Sequence, residues 1–195
     1  MERVTFASLR KRAVTLAITG LGAALAGVVT LSFALYEAAN PEKLPGIAAG
    51  QPIDTGRWTV VLGDATFHKA AADGPTKNKL ALDIELTNRS ATTSNSFANL
   101  FTIEQPPAGL GQPSFYLWRD KAIAFGLQPN MPERVVAIWE WPQTAPPPTE
   151  VRVEVASQIY KRRDNLYGAP GWFDRPPVAF VDLPVSTGEA GDGEL

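Results

Sequence analysis

The sequence predicts an all-β protein, an antiparallel sandwich of short strands preceded by one N-terminal transmembrane helix. Beyond residue 56, apolar and polar residues alternate over several short segments, as in strands with one buried face. The chain also contains 17 prolines and 16 glycines, which suit many strands joined by tight turns. At the N-terminus, Ala13–Tyr36 is an uncharged, mostly apolar run, longer than the about 20 residues that a membrane-spanning helix needs.

The charges on either side of residues 13–36 predict the orientation of this span. Arg10, Lys11 and Arg12 precede it and Glu37 follows it, so the positive-inside rule places residues 1–12 in the cytoplasm and the rest of the chain outside. A cleaved signal peptide is the alternative, with small residues at suitable spacing around positions 24–26 and 32–34. The apolar run continues past both of these places, which favours an uncleaved anchor.

Small side chains recur at helical spacing within the span. They are Gly20, Ala23, Ala24 and Gly27, the pattern that allows two membrane helices to pack closely. The pattern is also common in membrane helices that do not associate.

Composition divides the remaining chain into three parts. Residues 37–56 are rich in proline and glycine without a period of either kind and are predicted to be a linker. Residues 57–185 carry the alternating segments and are predicted to form the β-sandwich domain. Residues 186–195 are predicted to be a flexible acidic tail.

The first two strands show the clearest one-sided patterns. In the first, Trp58, Val60 and Leu62 alternate with other residues, and the phase slips by one residue at Gly63-Asp64, as a β-bulge would produce. In "LALDIELTN", which begins at Leu80, leucine and isoleucine occupy every second position. Asp83 and Glu85 share the polar face; two carboxylates invite an acid–base or metal interpretation, but with no histidine in the run they are expected to be solvated.

The segment "LQPNMPERVVAIWEWP", residues 127–142, combines a turn with a strand that is apolar on nearly both sides. A turn containing two prolines precedes the alternating residues. Such a strand belongs inside a two-sheet sandwich. Trp139 and Trp141 point the same way, and we expect them to be core residues rather than a stacking platform for a ligand.

Four further segments are predicted to be strands. They are "FANLFTIEQPP", "SFYLWRDKAIAFGL" as two short strands around a turn at residues 119–121, "VRVEVASQIY" with valines 151, 153 and 155 inside, and "PVAFVDLPV" at residues 177–185. About eight strands in this arrangement favour an immunoglobulin-like sandwich, although no cysteine pair marks an antibody-type domain.

Two of these segments resemble a known family. "KLALDIELTNRS" and "LQPNMPERVVAIWEWP" are similar to strands of the telokin-like, immunoglobulin-fold domains of single-span bacterial envelope proteins. The resemblance covers roughly residues 56–185. It implies an extracytoplasmic sandwich and carries no catalytic residues.

Several classes of function lack support in the sequence. With no cysteine and one histidine, His68, the chain offers no thiolate zinc site and a poor basis for a catalytic triad. No phosphate-binding glycine loop, nucleophile elbow or zinc-protease motif occurs. We therefore expect no enzyme activity, no cofactor and no metal.

The distribution of charge argues against nucleic-acid binding. Of the 18 basic and 20 acidic residues, four basic and one acidic residue lie in residues 1–12. The remainder is therefore acidic, whereas phosphate recognition needs a basic face.

The most distinctive connection is "KRRDNLYGAPGWFDRPP", residues 161–177. Its glycines and prolines predict irregular structure, and its cations and aromatic rings suit an anionic headgroup, a glycan or a partner protein. The candidate binding residues are Arg162, Arg163, Tyr167, Trp172 and Arg175. A connection whose aromatics fold back on the sandwich edge is the alternative.

We therefore expect a single-pass cell-membrane protein whose extracytoplasmic domain is a binding or scaffolding module, an accessory component of an envelope complex. The membrane and another envelope protein are the expected partners, and the sequence identifies no small-molecule ligand. The alternative is an assembly factor that acts mainly through its transmembrane helix.

Overall fold

The computed structural model describes residues 26–36, 43–70, 77–164, 166 and 168–188. The chain divides into two compact units, Met1–Lys43 and Leu44–Leu195. In the first unit, residues 26–36 are helical, and the Thr30 hydroxyl donates a hydrogen bond to the Ala26 carbonyl at 2.9 Å. Gly27 lies on this helix, whereas Gly20, Ala23 and Ala24 of the predicted packing pattern lie outside the described residues. The part of the chain that the structure describes contains no helix with both the length and the apolar character required to cross a membrane.

The second unit is a β-sandwich. Its strands are β1 (Pro52–Asp54), β2 (Trp58–His68), β3 (Asn78–Asn88), β4 (Phe101–Ile103), β5 (Ser114–Leu117), β6 (Pro132–Trp141), β7 (Glu150–Lys161) and β8 (Gly171–Gly188), with a short 3-10 helix at Ala98–Leu100.

The strands follow the order β4-β7-β8-β2-β3-β6-β5, and β1 pairs with Thr59–Val61 of β2. One sheet contains β4, β7 and most of β8, and the other contains β1, β2, β3, β6 and β5. Strand β8 belongs to both, because its last residues, from Val185 to Gly188, pair in parallel with Ala65–His68 of β2. The prediction of an antiparallel sandwich is confirmed for the other named strand pairs of the described chain; this parallel pair was not predicted.

The alternating residues of the predicted strands form the core. Trp58, Val60 and Leu62 are buried, and the register of β2 against β3 shifts between Leu62 and Ala65, which confirms the predicted bulge. Trp139 and Trp141 are 3% and 6% exposed. They are core residues, as predicted, and cannot form a stacking platform.

Strand β6 is buried on both faces, as the sequence indicates. It lies between β3 and β5. Val135 and Ala137 face the main core, whereas Val136 and Ile138 form a second small cluster with Ala81 on the opposite face. Packing on both sides of the sheet therefore covers the apolar residues on the two faces of β6.

Asn88 at the end of β3 holds two loops together. It is fully buried, and its amide donates hydrogen bonds to the Thr92 and Leu127 carbonyls at 2.8 and 2.9 Å. Its Oδ1 accepts from the Ser90 backbone N–H and hydroxyl. Because all of these polar groups have partners, the buried amide fixes the loop after β3 against the turn before β6. In that turn, Asn130 has the left-handed backbone (φ 56°) that asparagine tolerates.

The boundaries of the sandwich differ from the prediction at its N-terminal side. The predicted linker, 37–56, is too long. Backbone hydrogen bonds join Pro45 and Ile47 to Phe180 of β8, and residues 52–54 pair with β2. Residues 37–42 lie outside the described chain.

The C-terminal boundary also differs. Residues 186–188, predicted to be part of the tail, belong to β8 and pair with β2. The rest of the predicted tail, residues 189–195, lies outside the described chain.

Two short strand predictions are partly wrong. In "FANLFTIEQPP", a 3-10 helix precedes a strand of only three residues. In "SFYLWRDKAIAFGL", the first strand forms as β5, but the second is reduced to an isolated bridge between Ile123 and Tyr116. Lys121, in the predicted turn, has a positive φ of 59°, a backbone conformation found in tight turns.

Candidate functional site

The prediction of an irregular connection at residues 161–177 is wrong for its second half. Gly171–Pro177 are part of β8, and they pair with residues of β7 up to Lys161. The register shifts on either side of Ala156 and leaves Pro176 without a paired residue. A proline can occupy such a position because it has no N–H to contribute to the ladder. Among the described residues, only 162–164, 166 and 168–170 of this segment lie outside the strands.

Beyond these register shifts, the ends of β7 and β8 form an extension of the sheet. Gln158 pairs with Asp174, and Tyr160 pairs with Trp172. Residues opposite each other on paired strands share a face, so these four side chains lie on one side of the extension. We call this side the inner face.

The candidate residues taken from the sequence do not form one site. Trp172 lies half-buried on the inner face. Arg175 is exposed and follows Asp174 directly, so it points to the opposite side of the strand. Arg162 and Arg163 are exposed in the connection after β7, and Tyr167 lies outside the described residues.

A cleft of about 370 Å³ opens beside the inner face. Residues from four parts of the chain line it: Arg57, Asn95, Ser96, Ala98, Asn99, Gln158, Trp172, Phe173 and Asp174. Most of these side chains are polar, and both signs of charge are present. The cleft can therefore offer hydrogen-bond donors and acceptors to a bound molecule.

The floor of the cleft is a hydrogen-bonded glutamine. Gln158 is 6% exposed. Its Oε1 accepts a hydrogen bond from the Trp58 indole at 3.2 Å, and its Nε2 donates to the Ser96 carbonyl at 3.1 Å and to Asp174 Oδ1 at 2.7 Å. These contacts fix the Asp174 carboxylate with respect to the sandwich core.

Arg57 is positioned by the tight turn between β1 and β2. Gly56 in this turn has a φ of 89°, which glycine adopts at little cost. A Cβ at this position would lie 2.2 Å from the Gln158 carbonyl oxygen. Glycine thus lets the turn pack directly against β7, where the Gln158 N–H donates to the Thr55 carbonyl at 2.7 Å.

The guanidinium of Arg57 lies over an aromatic ring. Its Cζ lies 5.4 Å from the centroid of the Trp172 ring, within the range of a cation–π interaction. Tyr160 also contacts Trp172, with ring centroids 5.5 Å apart and planes inclined at 58°. The Trp172 ring therefore has neighbours that restrict its position.

Arg57 is also partly desolvated. Its Nε is buried and has no hydrogen-bond partner within the described chain. Burial lowers the pKa of the Arg57 guanidinium, and the nearby Asp174 carboxylate opposes this effect. The guanidinium remains charged, because the pKa of arginine lies far above neutrality. The cleft is therefore lined by a partly desolvated cation.

Sequence analysis identified only Trp172 among the residues that make this cleft. No sequence pattern distinguishes Arg57, Asn95 or Ser96 as a candidate. Their proximity depends on pairing between segments that are far apart in the chain, and no local pattern encodes it.

The other candidate residues lie on β2 and β3 and do not line the cleft. The Arg134 guanidinium lies 3.4 Å from an Asp83 carboxylate oxygen, and Glu85 is exposed. His68 lies at the end of β2 against Gly188, and its Nδ1 has no hydrogen-bond partner among the described residues. Within the same residues, no group of three or more potential ligands is arranged to hold a metal ion.

A second cleft, of about 410 Å³, lies beside the proline-rich connection before β7. Its walls include Trp141 and Pro146–Pro148. The Trp141 indole N–H donates to the Pro146 carbonyl at 3.1 Å. This hydrogen bond uses the indole to anchor the connection on the sandwich.

Comparisons with known proteins provide little further information. No family model matches the sequence, and no curated protein shows significant similarity to it. Among solved structures, the fold is similar to an uncharacterized β-sandwich protein from Clostridium difficile 630, with 12% identity and a TM-score of 0.42 over 69% of this chain and 96% of that chain. The resemblance to telokin-like envelope domains is therefore not confirmed, and the assignment of a β-sandwich rests on the strand pairing of the chain itself.

Proposed function

We propose that this protein is a non-catalytic binding module, held at a membrane by its N-terminal apolar segment, with the cleft beside Trp172 as its ligand site. The proposal rests on the surroundings of the Arg57 guanidinium. Its guanidinium lies over an aromatic ring and is partly buried, with a buried Nε that has no hydrogen-bond partner in the described part of the chain, and such a desolvated charge costs stability. A ligand that contacts the charged guanidinium from the cleft would offset part of this cost.

The location of the site also supports a binding role. Ligand sites favour concave surfaces on which a few fixed polar groups converge. Asp174 is fixed by Gln158, and Arg57 by the tight turn at Gly56. Both charged groups are therefore held in place before a ligand binds, which reduces the conformational entropy lost on binding.

The proposed cellular arrangement comes from the sequence. The apolar run at 13–36 and the basic residues before it favour a single-pass anchor with a cytoplasmic N-terminus. The sandwich would then be extracytoplasmic. An immunoglobulin-like, telokin-like envelope domain remains our proposal for its family, and an accessory role in an envelope complex our proposal for its context.

Because the chain has no cysteine, a single introduced cysteine tests the topology without background. Glu85→Cys places a thiol on an exposed strand position. We expect a membrane-impermeant maleimide to label this variant in intact bacterial cells, and the full-length protein to remain in the membrane fraction after an alkaline wash. Labelling only after lysis would contradict the extracytoplasmic assignment.

Photo-crosslinking in the membrane tests the cleft. A photoreactive residue at Asn99, which lines the cleft, is compared with one at Glu85, which does not. We expect adducts from position 99 that position 85 does not give, and we expect Arg57→Gln to reduce them. Arg175→Gln is the matched control, because it removes an arginine from the opposite side of β8.

Two results would overturn the proposal. One is the absence of adducts at position 99, and the other is adducts that are unchanged by Arg57→Gln. If function survives changes in the cleft but is lost when residues 13–36 are replaced by an unrelated apolar helix, the protein acts through its span as an assembly factor.

A further inference from the structure

The chemistry of the cleft indicates a class of ligand, an inference that rests on the proposed function above. We infer that the cleft binds the carboxylate end of a peptide, with the carboxylate on Arg57 and the neighbouring N–H or ammonium group on Asp174. The ligand class follows from three observations on the charge, the aromatic ring and the surrounding amides.

The first observation is that two opposite charges line one cleft without forming an ion pair. In the described part of the chain, no nitrogen of Arg57 lies within 4.0 Å of an Asp174 oxygen. Asp174 instead accepts a hydrogen bond from Gln158. A ligand that carries an anion and a nearby donor can therefore contact both charges, whereas a simple anion would be repelled by Asp174.

The second observation concerns the ring of Trp172. Carbohydrate sites commonly offer an aromatic face that a sugar can cover. Here the Arg57 guanidinium lies over the ring, and Tyr160 contacts it as well. The ring therefore serves to orient Arg57. The donors of a guanidinium lie in one plane, and this arrangement matches the two oxygens of a carboxylate.

Neutral polar side chains also line the cleft. Asn95, Ser96 and Asn99 line the cleft. Asparagine amides both donate and accept hydrogen bonds, so they suit the alternating N–H and C=O groups of a peptide backbone. The volume of about 370 Å³ is of the size of a small-molecule site, which accommodates the last one or two residues of a chain.

The test uses two probes that differ in one group. N-acetyl-alanyl-alanine has a free carboxylate, and its C-terminal amide does not. Each is titrated over the millimolar range against the purified full-length protein in detergent. Binding is followed by the indole N–H signal of Trp172 in two-dimensional ¹H–¹⁵N spectra, which a Trp172→Phe spectrum assigns.

We expect the carboxylate peptide to shift the Trp172 signal and the amide to bind at least about tenfold more weakly, because a charge-assisted bidentate contact is lost. Arg57→Gln should abolish the preference for the carboxylate, and Arg57→Lys should restore part of it. Arg175→Gln should retain it. Thermal unfolding of each variant establishes that the sandwich is intact.

The inference is overturned if the free peptide leaves the Trp172 signal unchanged, or if acid and amide bind equally. In that case crosslinking at Asn99 distinguishes the two proposals. Adducts that depend on Arg57 would support the binding module but contradict a peptide carboxylate as its ligand. The absence of such adducts would contradict both proposals.

Discussion

The indole N–H of Trp58 donates to the side chain of Gln158, 100 residues further along the chain, at a distance of 3.2 Å. Trp58 begins β2 in one sheet, and Gln158 lies near the end of β7 in the other. Both side chains are buried. This hydrogen bond therefore connects the core of the sandwich to the floor of the cleft.

Replacing Gln158 by leucine should destabilise the whole domain. Leucine keeps much of the volume but leaves the buried Trp58 indole without its partner, which costs about 1–3 kcal/mol, and it removes the hydrogen bonds to Ser96 and Asp174, each worth about 0.5–1.5 kcal/mol. We expect the free energy of unfolding in urea to fall by roughly 2–4 kcal/mol. Gln128→Leu is the control, because Gln128 is exposed; an equal loss in both variants would refute a special role for Gln158.

Gly56→Ala should lower the free energy of unfolding more than Gly109→Ala does. The two glycines have nearly the same backbone, with φ of 89° and 87°, so the cost of a positive φ for alanine is shared and amounts to about 1–2 kcal/mol. Among the described residues, the new Cβ at position 56 would meet a backbone oxygen at 2.2 Å, whereas none of their atoms lies within 4 Å of a Cβ at position 109. Chemical denaturation of both variants measures the difference. Equal destabilisation would mean that the turn can move away from β7 without cost.

Asp83 should make the domain less stable as the pH rises. Burial raises the pKa of the Asp83 carboxyl, and the Arg134 guanidinium only partly opposes this effect. The folded protein then holds the proton more tightly than the unfolded chain, so the stabilising contribution is present at low pH and is lost as the pH rises through the folded pKa.

Asp83→Asn tests the sign of this effect. Relative to wild type, its free energy of unfolding should increase between about pH 3 and about pH 7. A decrease over this interval would show that the ion pair with Arg134 outweighs burial.

Asp182 should show the opposite dependence. The hydrogen bonds from Arg152 lower the pKa of the Asp182 carboxyl, one of them with an Nη2–Oδ2 distance of 2.9 Å. Its contribution is therefore present above the unfolded pKa and is lost as the pH falls through the folded pKa. Asp182→Asn should be less stable than wild type at neutral pH, and the difference should disappear in acid. A difference that is constant across the same denaturation series would indicate a loss unrelated to the charge.

The central strands could be predicted because their local pattern and their final environment agree. Leucine and isoleucine at every second position of β3 specify one buried face. The bulge at Gly63-Asp64 could also be predicted from the pattern, because the side chains that face the core change there from one set of alternate residues to the other. Strand β6 was predicted because apolar residues on both faces require a strand that is covered on both sides.

The extension of β8 could not be predicted, because prolines and glycines suggest a loop when only neighbouring residues are considered. Pro176 is tolerated since it falls at an interruption of the register with Ala156 and Ser157. That interruption is a property of two strands together. The cleft could not be predicted either, because Arg57, Asn99 and Asp174 come together only after the two sheets are assembled.

Strand β8, which pairs with β7 along most of its length and with β2 at its end, has a consequence for how the domain comes apart. A sandwich whose layers share no strand can in principle lose one layer first. Here neither sheet can separate without breaking its hydrogen bonds to the shared strand, so amide protons in β2 and β7 should exchange with solvent through the same global opening. The floor of the cleft, built on β7, is therefore as long-lived as the fold itself.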